Sequence, residues 1–358
     1  MSCYNESMKI LLYTYDIVKI GGIETSFYNL AKYLMAKGHS VGVRYSKADP
    51  MRIKHYKNAG IDIKPAKSEL CDVLFIGSIW QQPRLINAKL VIQQCHADWS
   101  DDFWNGAGGA MQMIKNAEKN VDVYACVSES SASFVRKVTK KPVIIMYNLA
   151  PEQKTIAKEK HKRLVLAAFT RMTKEKGLDN YIALRDRLIE LGIDAEYRVY
   201  TNGEAPDGWT PYEPVPDITK ELTGIDIVCS LADTESFGYT IAEANSCGVP
   251  CIIKRANSTA EFFDDDSNLI IDDVTEINAP DLNKKVKSYP LFEMSRQNID
   301  DVLTYAQSEQ SKKCIIKCMR NFKDIEASRF RHTTEIFSVS KDRAKQLLSH
   351  ELNLVKEL

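Results

Sequence analysis

The stretch IDIVCSLADTESFGYTIAEANSCGVPCIIK, residues 225–254, reads as strand, loop, helix and strand. IDIVCSLA (225–232) and PCIIK (250–254) are short continuous apolar runs of strand length. IAEANSC between them is a helix closed by Gly248 and Pro250. TESFGYT (234–240) is then a strand-to-helix loop at the carboxyl end of a parallel sheet. Doubly wound sheets bind ligands there, because unpaired backbone N–H groups and the helix dipole face the crevice. Ser236 and Gly238 are small or turn-forming and let a phosphate or sugar approach the backbone. Glu235, in the loop, can accept hydrogen bonds from sugar hydroxyls. Glu243, one turn inside the helix, can accept a pair from a ribose diol. A diphosphate between two hydroxyl-binding carboxylates describes a nucleotide-sugar. Two glutamates eight apart also recur by chance, so the weight rests on the strand, loop and helix around them.

Working outward, the same alternation runs along most of the chain. Strands are expected at 9–16, 40–46, 72–78, 89–95, 122–128 and 142–148, with amphipathic helices between several of them. In SFYNLAKYLMAKG, Phe27, Leu30, Ala31 and Leu34 recur at helical spacing and Gly38 ends the run. APEQKTIAKEKHKR (150–163) has many charges and no apolar period, and reads as a linker. The pattern restarts with strands at 164–170 and 195–201, a helix at 177–192, and a strand at 268–272 beyond the motif. Continuous apolar strands between helices imply parallel sheets covered on both faces. Two α/β domains are therefore expected, at 1–150 and 151–308. Residues 309–358 form a basic tail, eleven Lys/Arg against seven Asp/Glu. It is expected to be helical and to pack back on the first domain, the alternative being contact with an anionic membrane. Ser258 and Glu261 have capping-box spacing before AEFF, and Asp264–Asp266 read as a solvated acidic turn.

Composition narrows the function. The 358 residues are 44% hydrophobic and 27% charged, as in an ordinary globular protein, and the net charge is zero, so no global basic field favours nucleic acid. No apolar run is long enough to span a membrane, and a signal peptide is not expected. The nine cysteines are scattered, with no CxxC and no zinc spacing, which suits a reducing cytoplasm.

The phrase ESFGYTIAEANSCGVP resembles the E-x7-E motif of retaining GT-B glycosyltransferases of the GT4 family. The resemblance extends to GGIETSFYNLAKYLMAKGHSV, CVSESSASFV, MYNLAP (146–151) and FTRMTKEKGLDNYIAL. It implies a GT-B fold, two Rossmann-like domains whose parallel sheets face an inter-domain cleft. It assigns donor binding to Gly21, Gly22, Ser236, Phe237, Gly238, Tyr239, Thr240 and Glu243. Arg171 and Lys176 would contact the diphosphate, and His96 would stand near the donor sugar, with Glu235 completing the catalytic set. Arg171 and Lys176 also make sense unaided, because they follow a strand at the sheet's carboxyl end, where two cations stabilise a leaving diphosphate. The implied partners are a nucleoside-diphosphate-sugar and a glycan, lipid-linked or protein acceptor, with no metal or other cofactor. One departure is that ANSTAE (256–261) replaces the family's paired glycines. The alternatives are a sugar-nucleotide epimerase or phosphorylase, and a non-catalytic nucleotide-sugar-binding partner.

Overall fold

The computed structural model describes residues 7–18, 21–77, 86–97, 107–215, 217–256, 258–319, 322–324, 329–331, 335–349 and 355–358. Two parallel sheets organise them. The first contains β1 (Lys9–Ile17), β2 (Ser40–Ala48), β3 (Asp62–Pro65), β4 (Glu69–Ile76), β5 (Ile86–Cys95), β6 (Val123–Cys126) and β7 (Val143–Ile145), in the order β3-β2-β1-β4-β5-β6-β7. The second contains β8 (Leu164–Phe169), β9 (Ala195–Tyr200), β10 (Thr210–Tyr212), β11 (Ile227–Ser230), β12 (Cys251–Lys254) and β13 (Leu269–Ile271), in the order β10-β9-β8-β11-β12-β13.

The apolar strands are continuous because both faces of each sheet are covered. In β1, Ile10 and Leu12 pack with Phe27, Leu30 and Leu34 of α1 (Gly22–Ala36), while Leu11 and Tyr13 pack with Leu74 and Ile76 on the other face. Burying each such side chain stabilises the fold by about 1.5–3 kcal/mol. In β8, Val165 and Ala167 look to one face, and Leu166 and Ala168 to the other with Tyr181, Leu184 and Leu188 of α5 (Leu178–Glu190). The winding reverses between β1 and β4 in the first sheet and between β8 and β11 in the second. Crevices open at the carboxyl ends of such strands. The loop after β8 carries Arg171 and Lys176, and the loop after β11 carries Glu235.

Four expectations change. Asp62–Pro65 and Thr210–Tyr212 are strands that the apolar pattern does not show. The helix α8 (Leu291–Ser311) begins in the second domain's core at Leu291, but Ile299, Val302, Leu303 and Ala306 lie in the core of the first. The domain boundary at 308 therefore falls too late, since half of α8 packs on the first domain. The tail is not a helical segment. Lys313–Cys318 is strand β14, paired antiparallel with β17 (Ile336–Ser340) and β18 (Val355–Glu357). Only α9 (Lys341–Leu348) is helical beyond α8 among the described residues. Cys314 and Cys318 share a face in a helix and equally in a strand, whose period is two. Ile316 and Cys318 bury against Phe337, Leu347 and Val355. This small sheet rests on the first domain, with Lys313 Nζ on Asp122 at 2.6 Å and Ser338 Oγ donating to the Lys89 carbonyl at 3.3 Å. The fourth change is the capping box, where Ser258 makes no cap and both side chains reach other parts of the molecule.

Candidate functional site: a cleft between the two sheets

The loop after β11 closes on itself. Glu235 Oε1 accepts hydrogen bonds from the backbone N–H groups of Ser236 (3.0 Å), Phe237 (3.4 Å) and Gly238 (3.1 Å). Glu235 Oε2 faces Lys176 Nζ at 3.6 Å. Three converging N–H groups and an ammonium form a nest suited to an anion, and here a carboxylate fills it. The backbone makes this turn because Gly238 has φ +81°, where a Cβ would stand 2.9 Å from the Phe263 ring. Phe237 is buried against Tyr239 and Phe262, with ring centroids 5.0 Å away in each case. The helix α6 (Tyr239–Ser246) starts immediately afterwards, and Thr240 Oγ1 donates to the Phe169 carbonyl at 3.5 Å.

Lys176 is placed by its neighbour. Gly177 has φ +77°, and a Cβ there would lie 1.9 Å from the Leu231 carbonyl oxygen. Asn180 Nδ2 also donates to that oxygen, at 2.9 Å. The loop after β8 is thus pressed onto the end of β11, which carries Lys176 to Glu235. Arg171 lies exposed in the same loop.

The first domain supplies the opposite wall. Ser236 Oγ donates across the cleft to the His96 carbonyl at 2.7 Å. Both ring nitrogens of His96 are sealed from solvent and have no hydrogen-bond partner among the described residues. Burial lowers its pKa to about 4, so the ring is neutral. Gly21 and Gly22 form the N-terminus of α1. A Cβ on Gly21 would meet Glu24 Oε2 at 2.6 Å, while one on Gly22 would meet nothing within 4 Å. Ser26 Oγ donates to Asn148 Oδ1 at 2.7 Å, tying α1 to the inter-domain turn.

Glu243 is one turn inside α6, away from the Glu235 nest. Burial raises its pKa to about 7, helped by Asp217 and opposed by Lys154. The structure therefore separates the two glutamates, with Glu235 beside Lys176 and Glu243 in a drier recess.

Three contributors were not found from sequence. Ser258 Oγ donates to the Glu235 carbonyl, bracing the motif loop from behind. Glu261, from α7 (Thr259–Phe262), accepts the Glu129 N–H with both carboxylate oxygens, at 2.8 and 3.1 Å, across the domains. That N–H opens α4 (Glu129–Val138), where a carboxylate suits the helix dipole. The third residue that the sequence did not single out is Tyr289, whose hydroxyl is buried with no hydrogen-bond partner among the described residues. The spacing of Ser258 and Glu261 was visible, but it signalled a local cap.

Among the described residues no group of three or more His, Cys, Asp and Glu could hold a metal ion. Asp264 accepts from the Ser267 N–H at 2.7 Å, and Asp266 faces Lys287 at 3.5 Å.

Residues 202–300 match the family model described as glycosyl transferases group 1. Several solved structures are similar over nearly their whole length. Anabaena HepE in complex with UDP-glucose is 15% identical, with a TM-score of 0.60 over 85% of this chain and 94% of that one. A variant of S. aureus TarM in complex with Fondaparinux, alpha-GlcNAc-glycerol and UDP is 11% identical, with a TM-score of 0.61 over 85% and 99%. A glycosyltransferase from Rickettsia africae is 13% identical, with a TM-score of 0.55 over 86% and 97%. The fold is GT-B. No curated protein matches the chain in sequence. The family match spans Glu235 and Glu243.

Proposed function

We propose that this chain is a retaining, metal-independent glycosyltransferase of the GT4 type, moving a sugar from a nucleoside-diphosphate-sugar to an acceptor hydroxyl. The observation that carries the reading is the junction of Glu235, Lys176 and the loop N–H groups with Ser236 bonded across to His96. A departing diphosphate gains negative charge as the glycosidic bond breaks. Lys176 and Arg171 stabilise it, together with loop N–H groups freed when Glu235 turns to the sugar. The leaving phosphate assists deprotonation of the acceptor hydroxyl on the same face, so no protein nucleophile is assigned. Neutral His96 offers a hydrogen bond to the donor sugar without adding charge.

A uridine diphosphate sugar is the first donor to test, because the structures named above hold UDP-glucose in HepE and UDP in TarM. The acceptor belongs to the first-domain wall, and the products are cell-envelope or capsular glycans, or a glycosylated lipid or protein. The site of action is the cytoplasm. Among the described residues no helix is long and apolar enough to cross a membrane, and contact with an anionic inner face would fall to the tail's exposed lysines, Lys312, Lys341, Lys345 and Lys356.

The test is transfer from a panel of nucleotide-sugars, with and without EDTA. Turnover is expected with one donor class, with the anomeric configuration kept and the rate unchanged by EDTA. Loss of most activity in EDTA, restored by manganese, would overturn the metal-free mechanism. Turnover without any acceptor would point to an epimerase.

A further inference from the structure

The recess around Glu243 contains more unsatisfied polarity than a folded core normally tolerates. The hydroxyls of Tyr239 and Tyr289 are both sealed from solvent, and neither has a hydrogen-bond partner among the described residues. Buried hydroxyls are nearly always paired, because leaving one unmade is costly. These two belong to distant parts of the chain. Tyr239 is in the first turn of α6, and Tyr289 is in the segment before α8; both rings pack on the same apolar cluster with Phe237 and Leu291. Both hydroxyls are held protonated, chiefly by burial, and the Glu243 charge acts on each. The Tyr239 hydroxyl has Ser26 and Asn29 of α1 as neighbours able to hydrogen-bond, so Tyr289 is the hydroxyl left without one among the described residues.

The Tyr289 phenol, which can donate, and the ionised Glu243 carboxylate, which can only accept, are therefore neighbours in one recess. A hydroxyl group answers both, because its O–H donates to the carboxylate while its lone pairs accept from a phenol. A vicinal diol, with two such hydroxyls, satisfies the set. We propose that Tyr289 is a nucleoside-binding residue, its hydroxyl donating to a ribose hydroxyl that in turn donates to Glu243. The assignment rests on the proposed use of a nucleoside-diphosphate donor, and it adds a contact from the segment that links the second domain to α8. Seating the ribose would then fix the start of the helix that runs on into the first domain's core.

The experiment measures calorimetric binding of whichever of UDP, GDP and ADP binds most tightly, alongside its 2′-deoxy and 3′-deoxy forms. Wild type, Tyr289→Phe and Glu243→Gln are compared, and the thermal unfolding of each free protein is recorded. Tyr289→Phe is expected to weaken the nucleotide roughly three- to tenfold, the range for one hydrogen bond, while leaving the free protein's Tm unchanged or higher. One of the two deoxy forms, which costs wild type affinity, should cost Tyr289→Phe less. If Tyr289→Phe binds like wild type while Glu243→Gln binds weakly, the role of Tyr289 is wrong and the nucleotide reading stands. A lower Tm with unchanged affinity makes Tyr289 structural and likewise overturns the proposal. If no nucleoside diphosphate binds wild type, both readings fall.

Discussion

On the second-domain wall of the cleft, Glu235 is held by three backbone N–H groups and faces Lys176, and Gly177 and Gly238 have no room for a side chain. On the first-domain wall, Gly22 has open space where a Cβ would go, and the two ring nitrogens of His96 have no partner among the described residues. The difference follows from what each wall has to meet. A diphosphate is the same in every donor and is best recognised by a backbone fixed in advance, so that only the Glu235 side chain need turn for the reaction. The donor sugar and the acceptor vary from enzyme to enzyme and need space and uncommitted hydrogen-bonding groups. Under the proposed reaction the rigid wall would meet the leaving group, and the open wall the donor sugar and the acceptor.

The sharpest break of that comparison is Lys176→Ala. If the rigid wall stabilises developing charge, kcat should fall roughly ten- to a thousandfold with donor KM little changed. A rise in KM alone, measured under saturating acceptor, would mean that Lys176 holds the ground state.

The glycines test the same contrast through stability. Gly177→Ala places a methyl group against the Leu231 carbonyl in a left-handed backbone conformation, and should cost about 3 kcal/mol or more. Calorimetry should then show Tm lower by roughly 6 °C or more. Gly22→Ala, with φ outside the left-handed region and open space around it, should stay within about 0.5 kcal/mol. Equal losses in the two variants would remove the asymmetry between the walls.

Much of this fold can be read from apolar strands alone, because strands covered on both faces are continuous runs. The two strands missed in the parallel sheets are edges. Asp62–Pro65 buries only Ile63, and Thr210–Tyr212 buries nothing, so neither carries a pattern. The tail misleads for a geometric reason, since Cys314 and Cys318 align in a helix and in a strand alike. At the site, the motif loop and Lys176 are legible because local chain geometry places them. Glu261, Ser258 and Tyr289 are not, because the groups around them lie in segments that only the fold brings near. The Glu129 N–H is 132 positions from Glu261.

Glu243 offers a pH test of the recess. Its pKa is raised from 4.5 to about 7 by burial and Asp217. Between those values the folded protein holds a proton that the unfolded chain has released. This stabilisation is complete below pH 4.5 and disappears as pH rises through about 7, a loss of about 3 kcal/mol. Glu243→Gln removes the carboxyl's titration, so the variant should gain on wild type in Tm as pH rises from 5 to 8. Nucleotide affinity should move the other way. The ionised carboxylate is the better acceptor, so wild type should bind a nucleoside diphosphate more tightly at pH 8 than at pH 6, and Glu243→Gln should show a flatter profile. Parallel pH profiles for the two proteins would place Glu243 outside the nucleotide site.

The smallest expected effect concerns the contact that joins the walls. The Glu261 carboxylate crosses from the second domain to the N-terminus of α4, and its partner is the backbone N–H of Glu129 rather than that residue's side chain. The two carboxylates repel, since the Glu129 charge helps to raise the Glu261 pKa, although burial is the larger cause. The two positions should therefore respond with opposite signs. Glu261→Gln keeps an acceptor but loses the charge that suits a helix N-terminus, and should cost about 0.5–1 kcal/mol. Glu129→Gln leaves the N–H in place and removes the repulsion, at the cost of its exposed ion pair with Arg136, a kind of pair that contributes little. It should leave stability unchanged or slightly higher. In small-angle scattering, Glu261→Gln should open the two domains and raise the radius of gyration, whereas Glu129→Gln should not. If both variants open the molecule alike, or neither does, the walls are held together by something other than this contact.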